Sequence, residues 1–137
     1  MTLEELKEEY ATKNPSSKKA FDNACSDIPG GITANVKFFA PFPLFMKEGH
    51  GAWLTDLDDH KYVDYVLSYG PLILGHERRE VLDSIQNYFA KHGTMLYGTP
   101  HELEDIFAKK IKELFPSIEM LRYTNSGTEA TLLCIRT

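Results

Sequence analysis

Asn125-Ser126-Gly127-Thr128-Glu129-Ala130 is the stretch on which the fold turns. Ahead of it, Met120-Leu121-Arg122-Tyr123-Thr124 is a short apolar-rich run with the length of a buried strand. Behind it, Ala130-Thr131-Leu132-Leu133-Cys134-Ile135-Arg136 begins as a helix. Strand, small polar turn, helix is a geometry suited to a phosphate: the first N–H groups of the helix point outward and its dipole favours an anion. Ser126 and Thr128 add hydroxyl donors, and Gly127 lets backbone approach a ligand closely. Ser126 or Thr128 acting only as a helix cap is the competing reading of the same residues.

The chain is long enough, at 137 residues, to bury a core. A net charge of −5 without any basic run argues against nucleic-acid binding. No apolar stretch is long enough to span a bilayer, and Met1-Thr2-Leu3-Glu4-Glu5 is not a signal peptide, so a cytoplasmic protein that does not engage membranes is expected. Cys25 and Cys134 lack metal-ligand spacing and read as buried free thiols of a reducing compartment. The helix behind Ser126 has barely two turns and no C-cap signal, so the chain reads as the front portion of something longer.

Thr2-Leu3-Glu4-Glu5 is a capping-box pattern opening a first helix. Asn14-Pro15 caps and starts a second, with Ala20, Phe21, Ala24 and Cys25 as its apolar face and Ile28-Pro29-Gly30-Gly31-Ile32 ending it. An aromatic loop, 33–43, follows. Residues 44–66 read as an antiparallel meander: Leu44-Phe45-Met46-Lys47, a break at Glu48-Gly49-His50-Gly51, Ala52-Trp53-Leu54-Thr55-Asp56, a turn at Asp58-Asp59-His60, then Lys61-Tyr62-Val63-Asp64-Tyr65. Asp56, Asp58 and Asp59 do not make a calcium loop, because Lys61 and Leu67 occupy the positions that need glycine and a bidentate glutamate. A helix is expected from about Arg78 to Lys91 with Gly93 as its C′ residue. Another starts at Thr99-Pro100-His101-Glu102, with Leu103, Ile106, Phe107, Ile111, Leu114 and Phe115 as a buried stripe. His76 reads as a structural histidine, and His50, His60, His92 and His101 lack the spacing of a metal site.

In this order, several stretches together resemble the class III pyridoxal-phosphate-dependent aminotransferases, and within them the glutamate-1-semialdehyde 2,1-aminomutase group. They are Ile28-Pro29-Gly30-Gly31, Gly51-Ala52-Trp53-Leu54-Thr55-Asp56-Leu57-Asp58, Tyr62-Val63-Asp64-Tyr65, Tyr69-Gly70-Pro71-Leu72-Ile73-Leu74-Gly75-His76, Tyr97-Gly98-Thr99-Pro100 and Arg122 to Ala130. The resemblance implies an α/β architecture, the N-terminal portion of a fold-type I transferase. Residues 1–70 would form the helices, loop and meander of a small α+β domain covering the cofactor cleft, and 71–137 the beginning of the large cofactor domain. It implies pyridoxal 5′-phosphate as cofactor, with Ser126, Gly127 and Thr128 on its phosphate, a small amino acid or amine as substrate, and a homodimer with active sites at the subunit boundary.

The lysine that carries the cofactor and the acid on its pyridinium nitrogen lie downstream of Ser126 in such enzymes, so no catalytic residue is assigned here. Lys109, Lys110 and Lys112 read as the solvated face of a helix, and the chain alone is expected to be inactive. Where the aminomutases hold a substrate carboxylate with Ser and Arg, this chain has Ala34 and Lys37, and Lys37 supplies charge without arginine's planar fork. Tyr69 stands where tryptophan is common on the substrate side. Glu77-Arg78-Arg79 and Asp59 depart from the pattern at a helix entrance and a turn, and read as structural. An ordinary surface lysine and a core tyrosine are the alternatives for Lys37 and Tyr69. For the whole chain they are a transaminase of another amino acid or amine, or a noncatalytic or split product that only folds or associates.

Overall fold

The computed structural model describes residues 1–137, which form two compact units, Met1–Tyr88 and Phe89–Thr137. The first opens with α1 (Leu3–Lys13), started by the expected capping box: the Thr2 hydroxyl accepts from the Glu5 N–H, and the Glu5 carboxylate accepts from the Thr2 N–H at 2.7 Å. At its end the Asn14 side-chain amide donates to the Tyr10 carbonyl, so Asn14 closes α1 and makes no side-chain cap on α2 (Pro15–Asp27). That cap comes from 42 residues away. The Asp58 carboxylate accepts from the Ser16 N–H at 2.9 Å and the Ser17 N–H at 3.2 Å. Ser17 is fully buried, and its hydroxyl accepts from the Phe45 N–H. Phe42, buried, packs its ring 4.9 Å from Tyr10 and 6.5 Å from Phe21, and this aromatic cluster is the small apolar core.

Short 3₁₀ turns at Pro29–Gly31 and Asn35–Lys37 lead into the sheet. Gly31 is obligatory in the first: its φ is +68°, and a Cβ there would sit 2.7 Å from the Phe21 ring and 2.8 Å from the Cys25 sulfur. The sheet is an antiparallel meander of β1 (Met46–His50), β2 (Trp53–Asp56) and β3 (Lys61–Val63) in that order. It differs from the sequence expectation in the first strand, which runs straight through Glu48-Gly49-His50 and turns at Gly51-Ala52. Gly49 signals no break because the His76 ring lies where its Cβ would be, 2.7 Å away. The expected departure at Asp59 is a left-handed turn residue, φ +68°.

Asp56 is the polar centre of the meander. Fully buried, its carboxylate accepts from the N–H groups of Asp58 and His60, the Tyr62 hydroxyl and, with Nδ1 protonated, the His60 ring. Burial pushes its pKa up, but these hydrogen bonds outweigh burial and hold it below the ordinary 3.8. Asp58 is likewise held low, burial being overcome by Ser16 and Ser17, and Asp64 by the Leu67 N–H and then His76. Because each pKa is lower folded than unfolded, the stability they add is complete above about pH 5. It is lost as pH falls through 3.8 and below. Trp53 fluorescence should therefore be flat from pH 5 to 7 and change cooperatively below about pH 4; a transition centred near pH 6 would refute this.

α3 (Arg79–His92) ends at Gly93, φ +71°, as the sequence suggests. In the second unit, α4 spans Glu102–Leu114. Its N-cap is His101, and neither Thr99 nor Pro100 takes the expected capping roles. Met120–Thr124 is not a strand: it joins no ladder, and the chain's one sheet is the meander of the first unit. The expected buried stripe of α4 is largely open, with Ile106, Phe107, Leu114 and Phe115 all exposed. Tyr123 packs part of it, its ring stacked 5.7 Å from Phe107 and its hydroxyl donating to the Glu104 carbonyl at 2.7 Å. Cys25 and Cys134 are free but exposed, contrary to expectation: the Pro29–Gly31 turn covers Cys25 only in part, and apolar helical spacing marks a face that can be covered without supplying the cover. No helix is long and apolar enough to cross a membrane.

Candidate functional site

The polar turn opens α5 (Gly127–Arg136). Ser126 is its N-cap, the hydroxyl accepting from the Glu129 N–H at 3.2 Å, and Glu129 reaches back to accept from the Asn125 N–H at 2.9 Å. Ser126 therefore caps the helix, as the competing reading of the sequence had it, while the return of Glu129 to the Asn125 N–H was not read from the sequence. Capping does not exhaust the turn. Ser126 keeps its own hydroxyl proton to donate, and the N–H groups of Gly127 and Thr128 lie ahead of the first intrahelical bond, from Ala130 N–H to the Ser126 carbonyl. Ser126, Gly127 and Thr128 are all exposed, and a Cβ built on Gly127 would meet nothing within 4 Å, so no side chain of the chain covers this turn. Two hydroxyls and two N–H groups outside the helical ladder, at the positive end of a helix, are donors of the kind a phosphate monoester would need, with pyridoxal phosphate as the group the sequence implies.

The first unit holds the other site residues. Lys37 ends the Asn35–Lys37 turn and donates from Nζ to the Thr33 hydroxyl at 3.1 Å. The Tyr69 hydroxyl donates to the carbonyl of Val36, at a long 3.4 Å. Two residues far apart in sequence are therefore brought to one place. Tyr69 reaches it from an unusual backbone: Leu67, Ser68 and Tyr69 are all left-handed, with φ of +51°, +53° and +65°. For side-chain-bearing residues each such conformation costs roughly 1–2 kcal/mol, so neighbouring structure must impose it.

Asp64 and His76 impose it, and the sequence reading gave Asp64 no role. One Asp64 oxygen accepts from the N–H groups of Val66 (2.8 Å) and Leu67 (3.0 Å), and the other accepts from His76 Nε2 at 2.7 Å. His76 is in turn locked to the meander by paired backbone bonds with Gly51, of 2.8 and 3.1 Å. Gly75, φ +80°, makes that pairing possible, because a Cβ would lie 2.7 Å from the Gly51 carbonyl oxygen. The structural reading of His76 agrees with this geometry. Glu77 pairs with the His50 ring at 2.5 Å, and the histidine holds its carboxyl below the usual range.

An exposed helix start rich in small polar residues, helices and a small antiparallel sheet are the features that the comparison with known proteins places in a family. The chain belongs to the class-III aminotransferase family, whose model matches residues 36–137. Glutamate-1-semialdehyde 2,1-aminomutase of Legionella pneumophila strain Paris is 48% identical over 123 residues, covering 88% of this chain and 28% of the relative. The same-named protein of Sorangium cellulosum is 46% identical over 129 residues, covering 92% of this chain and 29% of its own. Among solved structures, a β-phenylalanine aminotransferase from Variovorax paradoxus superposes with a TM-score of 0.90 at 36% identity, covering 98% of this chain and 31% of that one. A glutamate-1-semialdehyde aminomutase from Pseudomonas aeruginosa gives 0.77 at 26% identity, covering 93% and 28%. The fold is thus the N-terminal portion of a fold-type I transferase, and the chain spans less than a third of the relatives it matches.

Proposed function

We propose that this chain is the part of a class III pyridoxal-phosphate enzyme that grips the cofactor phosphate and presents one side of the substrate pocket. Amino-group transfer to or from a small amino acid or amine is the reaction of the whole enzyme. The observation that carries the reading is the open helix start at Ser126, Gly127 and Thr128, within a chain of this family. The cofactor supplies an electron-withdrawing ring beside the carbon that bears the amino group. The chain's own contribution is positional. Ser126 and Thr128 donate hydroxyl protons, and Gly127 and Thr128 donate backbone N–H, to phosphate oxygens. Lys37 offers a single ammonium to a substrate carboxylate, and Tyr69 an aromatic wall with a hydroxyl.

Identity to the curated aminomutases favours return of nitrogen to the same molecule. A second reading, a transaminase that releases its product, is supported by the higher TM-score with the β-phenylalanine aminotransferase and by lysine at position 37. The open apolar faces of α3 and α4 support a homodimer, and a cytoplasmic enzyme is the natural setting. The same reading assigns residues 1–70 to the small domain and 71–137 to the opening of the cofactor domain. No lysine here is assigned to the cofactor, and the chain by itself should show no transamination above buffer.

The test uses pyridoxamine 5′-phosphate, which has no aldehyde to label lysines indiscriminately. Titrated into the chain, it should shift the amide resonances of Gly127 and Thr128, while pyridoxamine lacking the phosphate should leave them unmoved. Equal shifts with both, or none with either, would overturn the assignment of the phosphate to this turn.

A further inference from the structure

Lys37 and Tyr69 lie on separate loops, and what aligns them is a chain of contacts that begins in the meander. Gly51 pairs with the His76 backbone, and the His76 ring occupies the space over Gly49 and donates to Asp64. Asp64 fixes the N–H groups of Val66 and Leu67, which commits the next residues to the left-handed turn. That turn is closed by Tyr69 N–H to the Val66 carbonyl at 2.9 Å and Gly70 N–H to the Leu67 carbonyl at 3.0 Å. Its outcome is the Tyr69 hydroxyl on the Val36 carbonyl, next to Lys37. The Asn35–Lys37 turn has few other holds: Lys37 N–H to the Ala34 carbonyl at 2.9 Å, Phe38 N–H to the Asn35 carbonyl at 3.1 Å, the Lys37 to Thr33 side-chain bond, and the Phe38 ring 6.2 Å from that of Phe21. Its flanking side chains Val36, Phe38 and Phe39 are exposed.

We propose that the Asp64–His76 pair is a positioning device that sets Lys37 and Tyr69 as one substrate-recognising unit, so that His76 governs substrate discrimination without touching substrate. A left-handed run of three side-chain-bearing residues has no local reason to persist. Remove the His76 donor and Asp64 is free to rotate, Leu67–Tyr69 relax toward right-handed conformations, and the Tyr69 hydroxyl withdraws from Val36. The device rests on the substrate-facing role proposed above for Lys37 and Tyr69, but the coupling itself is measurable without substrate.

Amide exchange on the full chain reads the coupling directly. His76→Ala should speed exchange at Tyr69, Gly70, Lys37 and Phe38 by about tenfold or more while leaving Leu54 and Thr55 of β2 unchanged. His76→Gln, which keeps one donor for Asp64, should restore most of the protection. Tyr69→Phe removes only the last link, so it should speed Lys37 and Phe38 alone, and it decides the question should His76→Ala fail to fold. Acceleration confined to residues 66–70, or Tyr69→Phe leaving Lys37 and Phe38 unmoved, overturns the proposal. In the complete cofactor-loaded enzyme, His76→Ala should raise KM for the amino substrate by about fivefold with kcat within about twofold, and His76→Gln should restore most of that loss. A matching fall in kcat with KM unchanged would also overturn it. If the unsubstituted enzyme transfers no amino group, the functional reading fails while the exchange data still judge the coupling.

Discussion

Gly127→Val should weaken the hold on the cofactor phosphate by about a hundredfold, roughly 3 kcal/mol, and leave the fold intact. The two halves of this expectation come from one geometric fact. A Cβ on Gly127 meets no atom within 4 Å and the position is exposed, so the structure offers no steric objection to a side chain there. The vacant space is the approach to the N–H groups of Gly127 and Thr128, and two methyl groups there screen them from a phosphate oxygen. Valine is also no worse than glycine in the first turn of a helix, so α5 should persist. Thr128→Val, which removes one hydroxyl and keeps the backbone donors, should cost about tenfold. Cofactor retention on dialysis of the complete enzyme and phosphate-induced shifts of the Thr128 amide in this chain measure the same quantity. Undiminished affinity in Gly127→Val would remove the phosphate from this turn, and loss of α5 helicity would show that glycine serves the fold.

Asp56→Ala should cost about 3–5 kcal/mol and dismantle the meander. The substitution strands four donors, the N–H groups of Asp58 and His60, the Tyr62 hydroxyl and the protonated His60 Nδ1, around a site with no solvent exposure. Each unsatisfied buried donor costs about 1–3 kcal/mol, less than additively because neighbours relax together. The damage should also spread to α2, since the turn that Asp56 shapes delivers the Asp58 carboxylate to the Ser16 and Ser17 N–H groups. Asp56→Asn keeps one carbonyl acceptor and should lose less than half as much. Urea unfolding followed at Trp53 is the measurement, with a loss below about 1 kcal/mol for Asp56→Ala as the contrary result.

The elements legible in the sequence are those whose causes are local. Thr2 and Glu5 start α1 by bonding to each other three residues apart, and Gly93 ends α3 by its own freedom at positive φ. The turn at Ser126–Thr128 could be read as an anion site because a helix start exposes N–H groups whatever surrounds it. Errors arose where a residue's role is fixed by a distant one. Gly49 read as a strand break because the His76 ring that needs its missing Cβ comes 27 positions later. Asn14 holds the N-cap position of α2 as read, but the side-chain acceptor for the first turn is Asp58, which lies beyond the loop. Met120–Thr124 has a strand's composition, but a strand exists only in a ladder, and composition does not carry its partner.

By itself, then, the sequence determined most of the helix ends, the helix start at Ser126 and the family, since short-range hydrogen bonding and ordered motifs survive without knowledge of what packs where. Only the tertiary structure decided that Asp64 and His76 force Leu67–Tyr69 into a left-handed turn and so bring Tyr69 to Val36 beside Lys37. No local preference favours that conformation. It exists because a carboxylate, an imidazole and two glycines from separate segments meet at one point, and their bonds outweigh the strain.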